Sequence, residues 1–574
     1  MNNFFNKIWA SGFWWLLLLL IIIGINFLAS VFHARFDLTK EKRYTLSKAT
    51  RDLLRNLDEP VTIDVFLKGD FPAGFKKLAN GVNEFLQECK EYGRENLQIH
   101  FIDPLKNLDD SSAQYFKDSV GYFFDITPYT IQAPGKVGDE LTVKQILPGA
   151  ILHYRDTSIG VNLLKGARAY GTEPEQLATL YNNVEATLEY KFASAIQKIT
   201  SSQRPYVGYA LGHGESWGFN ADDAVRTLIK NYRFDTVNLK SIPFIPSDFN
   251  ALVILKPTLS FSDADKLKID QYVMRGGKVF WMIDNMFAEF DSLRNSTGFV
   301  AFDRGLNLED ILFRYGVRIN QNLLQDMQSD KLGQMSNNPD NPQTRLVDWP
   351  FFPILNGTNH PISKNLDGVR AMFPNTIDTV KATGIRKTFL LQSSANARIL
   401  TAPAKIDFEF LQIAPEIKQF TVKDTAVAVL LEGKFQSLFR GRMPKTMADS
   451  LAAYQVPFRE TSDENSKMIV VADGDIALNE VSAQYGPMPM GYNFYTRYTY
   501  ANKEFYTNCL EFLVNPSGIL ETRAKDFTLR LLDPVKVREQ KSLWQFINIG
   551  LPVLLVVLFG FIYQQVRKRK FSSS

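Results

Sequence analysis

The chain carries two kinds of hydrophobic pattern. Near each end an apolar run excludes charge, and between them strand-like runs alternate with segments whose apolar residues recur at helical spacing. Trp14 to Phe32, containing WLLLLLIIIGINFLASVF, is long enough at ~1.5 Å per residue to cross a bilayer core. It exceeds the apolar stretch of a secretory signal, and LASVFHARF offers only a weak cleavage pattern, so a retained transmembrane helix is expected. Phe546 to Tyr563, FINIGLPVLLVVLFGFIY, is the second expected span; Arg567, Lys568, Arg569 and Lys570 after it hold that end in the cytoplasm. Within it, Asn548, Gly550, Pro552 and Gly560 are polar, small or helix-bending, which points to a partner helix in the membrane. A lone anchor with Pro552 near its outer end is the alternative. Two spans then put both termini in the cytoplasm and the long region between them outside, although Arg35, Lys40, Lys42 and Arg43 pull the other way.

The region between the spans begins with RYTLSKATRDLLRNL, a helix capped by Thr45 or Ser47. VTIDVFL, FKKLANGVNEFLQECKEYG and LQIHFIDP then read as strand, helix and strand, a right-handed β-α-β unit of a small α/β domain. YTIQA, GAILHY and SIGVNLL continue its sheet, and the helix NNVEATLEYKFASAIQKIT bridges to the next domain. From Tyr206, YVGYAL, DDAVRTLIKNY, FDTVNL, ALVILKP, SDADKLKIDQYVMRGG and KVFWMID alternate strands with helices, the order of a doubly wound parallel sheet. TFLLQSS, IDFEFLQIA and AVAVLLEG extend a β-rich layer, and KMIVVADGDI ends at Asp473 as KVFWMID ends at Asp284. Asp326 to Asn359 is rich in loop-forming residues and reads as a long loop; it carries DWPFFPIL, whose Trp349, Phe351 and Phe352 form a binding edge or pack on the sheet. Tyr492 and Tyr495 lie in VSAQYGPMPMGYNFYTRYTY, an aromatic and Met-rich stretch suited to an interface or to interdomain packing. KEFYTNCLEFLV reads as an amphipathic helix, and LRLLDPVKVREQKS leads back to the membrane.

The expected organisation is α/β: a cytoplasmic tail (1–12), a transmembrane helix (13–33), a small α/β domain (40–170), a linking helix (175–202), a larger α/β domain with a β-rich extension and long loops (203–535), a second transmembrane helix (544–563) and a basic tail (564–574). An apolar share of 45% and a charged share of 22% fit folded domains, and a net charge of +4 without a basic stripe argues against nucleic acid. Two cysteines, Cys89 and Cys509, exclude a disulfide scaffold or a cysteine-built zinc site; both are expected to be buried thiols.

Chemistry is most visible in PYVGYALGHGESWGFN, where a strand breaks into Gly212-His213-Gly214-Glu215. In parallel sheets ligands sit outside the carboxyl ends of strands, where this turn and Asp284 both fall. Ser216 lacks a nucleophile elbow, and His213 with Glu215 makes two metal ligands without H-E-x-x-H spacing, Asp284 being a third only if folding brings it close. The structural reading is that the glycines permit the turn and the two polar side chains orient it. No G-x-x-x-x-G-K-[ST] occurs, so the chain is not expected to hydrolyse ATP itself.

The ordered set KRYTLSKATRDLLRNLDEPVTIDVFL, YVGYALGHGE, SDFNALVILKPTLSFSDADKLKIDQYVMRGGKVFWMID, NLEDILFRYGVRI and KMIVVADGDI between two spans resembles the GldG family of gliding-motility auxiliary ABC-transport components. That resemblance implies a Bacteroidetes inner-membrane protein whose outer region contains an amidotransferase-like sheet similar to that of intraflagellar-transport proteins. It also implies association with a GldF-like permease and a GldA-like ATPase, linked to gliding and type IX secretion. It supplies no catalytic residues and no cofactor. A non-catalytic accessory subunit is therefore expected; a membrane-anchored hydrolase or metal enzyme using Gly212–Glu215, or a structural envelope anchor, are the alternatives.

Overall fold

The computed structural model describes residues 19–24, 26, 45–69, 71, 73–106, 108–134, 141–164, 174–201, 203–294, 298–335, 344–408, 416–463, 465–515, 517–524 and 534–571. The chain divides into two compact units, Met1–Lys525 and Asp526–Ser574.

The first unit opens with α1 (Lys48–Arg55), whose N-cap Ser47 accepts a hydrogen bond from the Thr50 amide. β1 (Val61–Val65), α2 (Ala73–Gly93) and β2 (Leu97–Phe101) form the expected crossover, and β1 pairs with β2 in parallel. After α3 (Asp110–Phe124) the chain makes a separate ribbon, β3 (Tyr129–Pro134) with β4 (Leu141–Ile146), rather than continuing the sheet. β5 (Gly149–Tyr154) and β6 (Thr157–Asn162) complete a sheet ordered β2-β1-β5-β6.

The next helix, α4 (Pro174–Thr200), does more than bridge. Val184, Leu188, Phe192, Ala195 and Ile196 of α4 are buried in the same core as Val61, Ile63 and Leu86. Its Tyr190 hydroxyl donates to Asn508 Oδ1 at 3.2 Å and its ring lies 5.1 Å from the guanidinium of Arg523, in the last described turn of this unit. Thus one helix closes the first core and grips the chain where it leaves the second.

The larger sheet runs β7 (Tyr206–Leu211), α5 (Asp222–Asn231), β8 (Arg233–Asn238), β9 (Ala251–Leu255), α6 (Asp263–Met274) and β10 (Val279–Met282). Beyond α7 (Glu309–Tyr315) come β11 (Ser329–Met335), β12 (Thr344–Gly357), β13 (Ile385–Gln392), β14 (Ala426–Gly433), α8 (Lys445–Ala453), β15 (Ser466–Val471) and α9 (Asn502–Val514). The strand order is β11-β12-β13-β14-β15-β10-β9-β7-β8, with β8, β7, β9, β10 and β15 parallel and the rest antiparallel. Counted by sequence, the parallel strands lie 2-1-3-4-5, so the order reverses between β7 and β9. Both faces are covered. Val207, Val253 and Phe280 pack with Leu228 of α5 and Leu510 of α9, while Leu252, Ile254 and Trp281 pack with Leu267 of α6 and Leu312 of α7.

Two sequence expectations are corrected here. The expected loop from Asp326 to Asn359 is largely a hairpin, β11 with β12 in antiparallel register from Lys331↔Asp348 to Met335↔Thr344. DWPFFPIL lies in the second strand: Trp349, Phe351 and Phe352 are wholly buried with Phe373, so they are core rather than an exposed binding edge. α9 is buried around most of its surface, Asn502, Asn508 and Glu511 included, instead of presenting a polar face. Cys89 and Cys509 are buried thiols in different cores.

In the second unit α10 (Pro534–Gln545) passes through a π-helical turn, Phe546–Gly550, into α11 (Leu551–Phe571). Pro552 has no amide hydrogen to donate one turn back, and the widened turn directly precedes it. Gln540–Arg569 is long and apolar enough to cross a membrane, the one such helix among the described residues. The first expected span lies outside the described residues apart from helical residues 19–24 and 26.

Candidate functional site

At the carboxyl end of β7, Gly212 and Gly214 take positive φ, 117° and 72°. A Cβ on Gly214 would lie 2.1 Å from Thr258 Oγ1, so the turn requires glycine on two counts. The His213 carbonyl accepts from the Thr258 and Leu259 amides, both at 2.8 Å, and its own amide donates to Glu215 Oε2 at 2.7 Å. Its buried ring stacks on Phe261 at 3.8 Å, and Nε2 lies 3.2 Å from Asp265 Oδ2. Asp265 also accepts from Ser262, the N-cap of α6. Burial alone would raise the Asp265 pKa, but hydrogen bonds from Ser262, Lys268 and His213 outweigh it and hold the carboxyl below its usual range. His213 therefore fastens the turn after β7 to the start of α6.

A second polar cluster sits beside this turn's sheet edge, at the ends of β9, β10 and β15. Lys256, the residue after β9, adopts φ 47°, and its ammonium lies 3.0 Å from Asp284, 3.0 Å from Glu289 and 2.5 Å from Asp475. An ammonium has three donors, and here each faces a carboxylate. Arg304 Nη2 donates to the other oxygen of Glu289 at 2.5 Å. Asp473 accepts from the Met372 and Asp475 amides, both at 2.7 Å, and Asp284 accepts from the Gly474 amide at 2.5 Å. Gly474 lets the two chains approach, because a Cβ there would meet Lys256 Cβ at 2.6 Å.

Burial opposes charge on the Lys256 ammonium, but Asp284, Asp475 and Glu289 outweigh it and hold its pKa well above the ordinary value. Burial and the neighbouring carboxylates of Asp475 and Asp284 push Asp473 well up. Asp475 is pushed up to about 7, by burial first, with Lys256 working in the opposite direction. Asp284, Asp473 and Asp475 each offer an oxygen within 4.8 Å of the others, close enough for one cation to touch all three. Lys256 already supplies positive charge there.

The sequence-derived candidates thus separate. Asp284 and Asp473 come together, whereas the polar contacts of His213 are Glu215 and Asp265, and those of Asp284 are Lys256 and Gly474. Among the described residues the acids grouped closely enough to share a cation are Asp284, Asp473 and Asp475, a set that does not include His213 or Glu215. Tyr495 is half exposed and lies against Gly333 of β11, while Tyr492 is partly buried and edge-on to Phe494. In the second unit Gly550 lies under the Phe546 ring, Asn548 shares its π-helical turn, and the Cβ position of Gly560 is open. Sequence reasoning does not single out Lys256, Asp475, Glu289 or Arg304; a lysine closing the wholly apolar run ALVIL is the available signal for the first.

A family model described as an ABC-type uncharacterized transport system matches residues 204–509, the sheet, both strand-end clusters and the first part of α9 included. The chain belongs to that family. A second model, for a domain of unknown function, matches residues 40–153 of this ABC-transport auxiliary protein. No curated protein matches it. Among solved structures it is similar to the chain titled mmIFT52 N-terminal domain, at 10% identity and a TM-score of 0.30, covering 54% of this chain and 97% of that one.

Proposed function

We infer that the protein is a non-catalytic accessory subunit that pairs in the bacterial inner membrane with a separate permease and a separate ATPase, as in the gliding-motility GldA/GldF/GldG system. The observation that carries this reading is the transport-system family match over the larger domain, in a chain that also contains a membrane-length apolar helix. The missing phosphate-loop motif supports an ATPase on another chain. The strand ends support a non-catalytic role: the Lys256 donors are all engaged by carboxylates, and the buried His213 ring is stacked and wedged against α6. Both termini are cytoplasmic in this reading, and the first unit is presented on the outer face to envelope partners or a cargo. The test is purification of the full-length chain from native membranes in mild detergent, with mass spectrometry of what accompanies it. A permease and a Walker-motif ATPase are expected; their absence across several detergents would defeat the reading and favour an envelope anchor.

A further inference from the structure

Two cavities flank α6 and share bordering residues, the smaller at the amino-terminal ends of β9 and β10. The larger, about 230 Å³, lies between α6, α8 and residues 242–245, and its lining is mostly apolar, with Ile242, Phe244, Leu267, Met447 and Leu451. The smaller, about 130 Å³, is lined by Ser247, Asn250, Arg275, Gly276 and Lys278. Ile245, Tyr272 and Arg275 border both. Together they reach the small end of the range of ligand-sized pockets, which begins at ~300 Å³.

The polar compartment has an unbalanced charge. Arg275 donates from Nη2 to the Pro457 carbonyl at 3.4 Å, a neutral partner, and among the described residues neither it nor Lys278 has a carboxylate within ion-pair distance. Their neighbours are also cations. Burial and then Arg459 hold the Arg275 pKa below its ordinary value, and burial and then Lys467 do the same for Lys278. Arg459 is itself paired with Asp463, and Lys467 lies 3.8 Å above the Phe512 ring, so neither offers relief. Asn250 Oδ1 accepts from the Tyr206 amide, which leaves its Nδ2 as a donor with no protein partner among the described residues. Two partly desolvated cations and a free amide donor next to an apolar recess are complementary to a molecule with an anionic head and an apolar body.

We propose that this double cavity binds a small anionic amphiphile, its carboxylate or phosphate head at Arg275 and Lys278 and its hydrocarbon against Leu267, Met447 and Leu451. The apolar compartment distinguishes it from a simple anion site, since each methylene buried is worth roughly fourfold in affinity.

The test titrates the full-length chain, in discs of zwitterionic lipid with empty discs subtracted, with octyl phosphate, octanoate, inorganic phosphate and octanol. Saturable binding of octyl phosphate or octanoate is expected, and their relative affinities distinguish a phosphate from a carboxylate head. Inorganic phosphate and octanol should each bind at least about tenfold more weakly. Arg275→Gln should weaken octyl phosphate binding about tenfold or more, and Met447→Trp, which fills the apolar compartment, should abolish the advantage over inorganic phosphate. Lys278→Gln provides a second head-group variant if Arg275→Gln melts early. No saturable binding, equal affinity for octanol, or equal affinity for inorganic phosphate would overturn the proposal.

Discussion

Replacing Lys256 by methionine keeps most of the side-chain volume and removes the charge on which three carboxylates converge. The Lys256 side chain is only 6% exposed, so the loss is that of one partner of a buried ion pair, about 3–5 kcal/mol. The sign of the pH dependence comes from Asp475, whose folded pKa of about 7 lies above the ordinary value of 3.8. Between those values the folded protein holds a proton that the unfolded chain has released, so this group's contribution makes stability fall as pH rises from ~4 to ~7. Without the ammonium that opposes this shift, the folded cluster takes up protons more readily. The Lys256→Met variant should therefore lie closest to wild type near pH 5.5 and furthest from it near pH 8, by several degrees in melting temperature. Intrinsic fluorescence melts of the full-length chain at the two pH values measure this. Adding Asp475→Asn to Lys256→Met should restore part of the loss, which a double-mutant cycle reads directly. A loss below about 1 kcal/mol at pH 8, or the same loss at both pH values, would refute the electrostatic account.

Other substitutions probe separate features. Asp270 is a buried carboxylate that accepts hydrogen bonds from Tyr315, Ser437, the Leu438 amide and Gln271, so Asp270→Ala should cost about 2–4 kcal/mol in thermal unfolding by stranding those donors. Gly214→Ala should destabilise more than Gly441→Ala: φ is 72° and 71°, but a Cβ meets Thr258 at the first and open space at the second, and comparative melts read the difference. His213→Ala should lower the melting temperature without changing the metal content of the purified chain by plasma mass spectrometry, because its ring partners are Phe261, Asp265 and Glu215. Neither Cys89 nor Cys509 should react with a thiol reagent in the folded protein, whereas both should after denaturation, since each is buried in a core.

The centre of the parallel half of the large sheet was legible because β9 and β10 are wholly apolar runs on either side of α6, a helix capped by Ser262, and each run fell where a strand forms. The antiparallel half was harder. Its longest strand, Thr344–Gly357, contains Pro350 and Pro353 and comes after a loop-forming stretch, so local composition argued for irregular backbone while long-range packing of Trp349 and Phe351 decided for a strand. α6 buries four polar side chains, each matched from elsewhere in the chain: Asp265 by His213, Lys266 by Asp310, Asp270 by Ser437, and Gln271 by the Arg459 backbone. Pairing of this kind has no signature at one position. The same holds for the strand-end cluster: Asp284 and Asp473 were visible as acids closing two similar strands, but Lys256 and Glu289 meet them only through the fold.

The contact between α4 and the last described turn of the first unit has a mechanical consequence. Arg523 lies under Tyr190, its Nη1 donates to Asn508, and its carbonyl accepts from Asn365. A load applied to the chain at Ala524 would first reach this knot. α4 also forms part of the first domain's core. A load on Arg523 is therefore shared between both cores of this unit, reaching the first domain through Tyr190 of α4 and the large domain through Asn508 of α9.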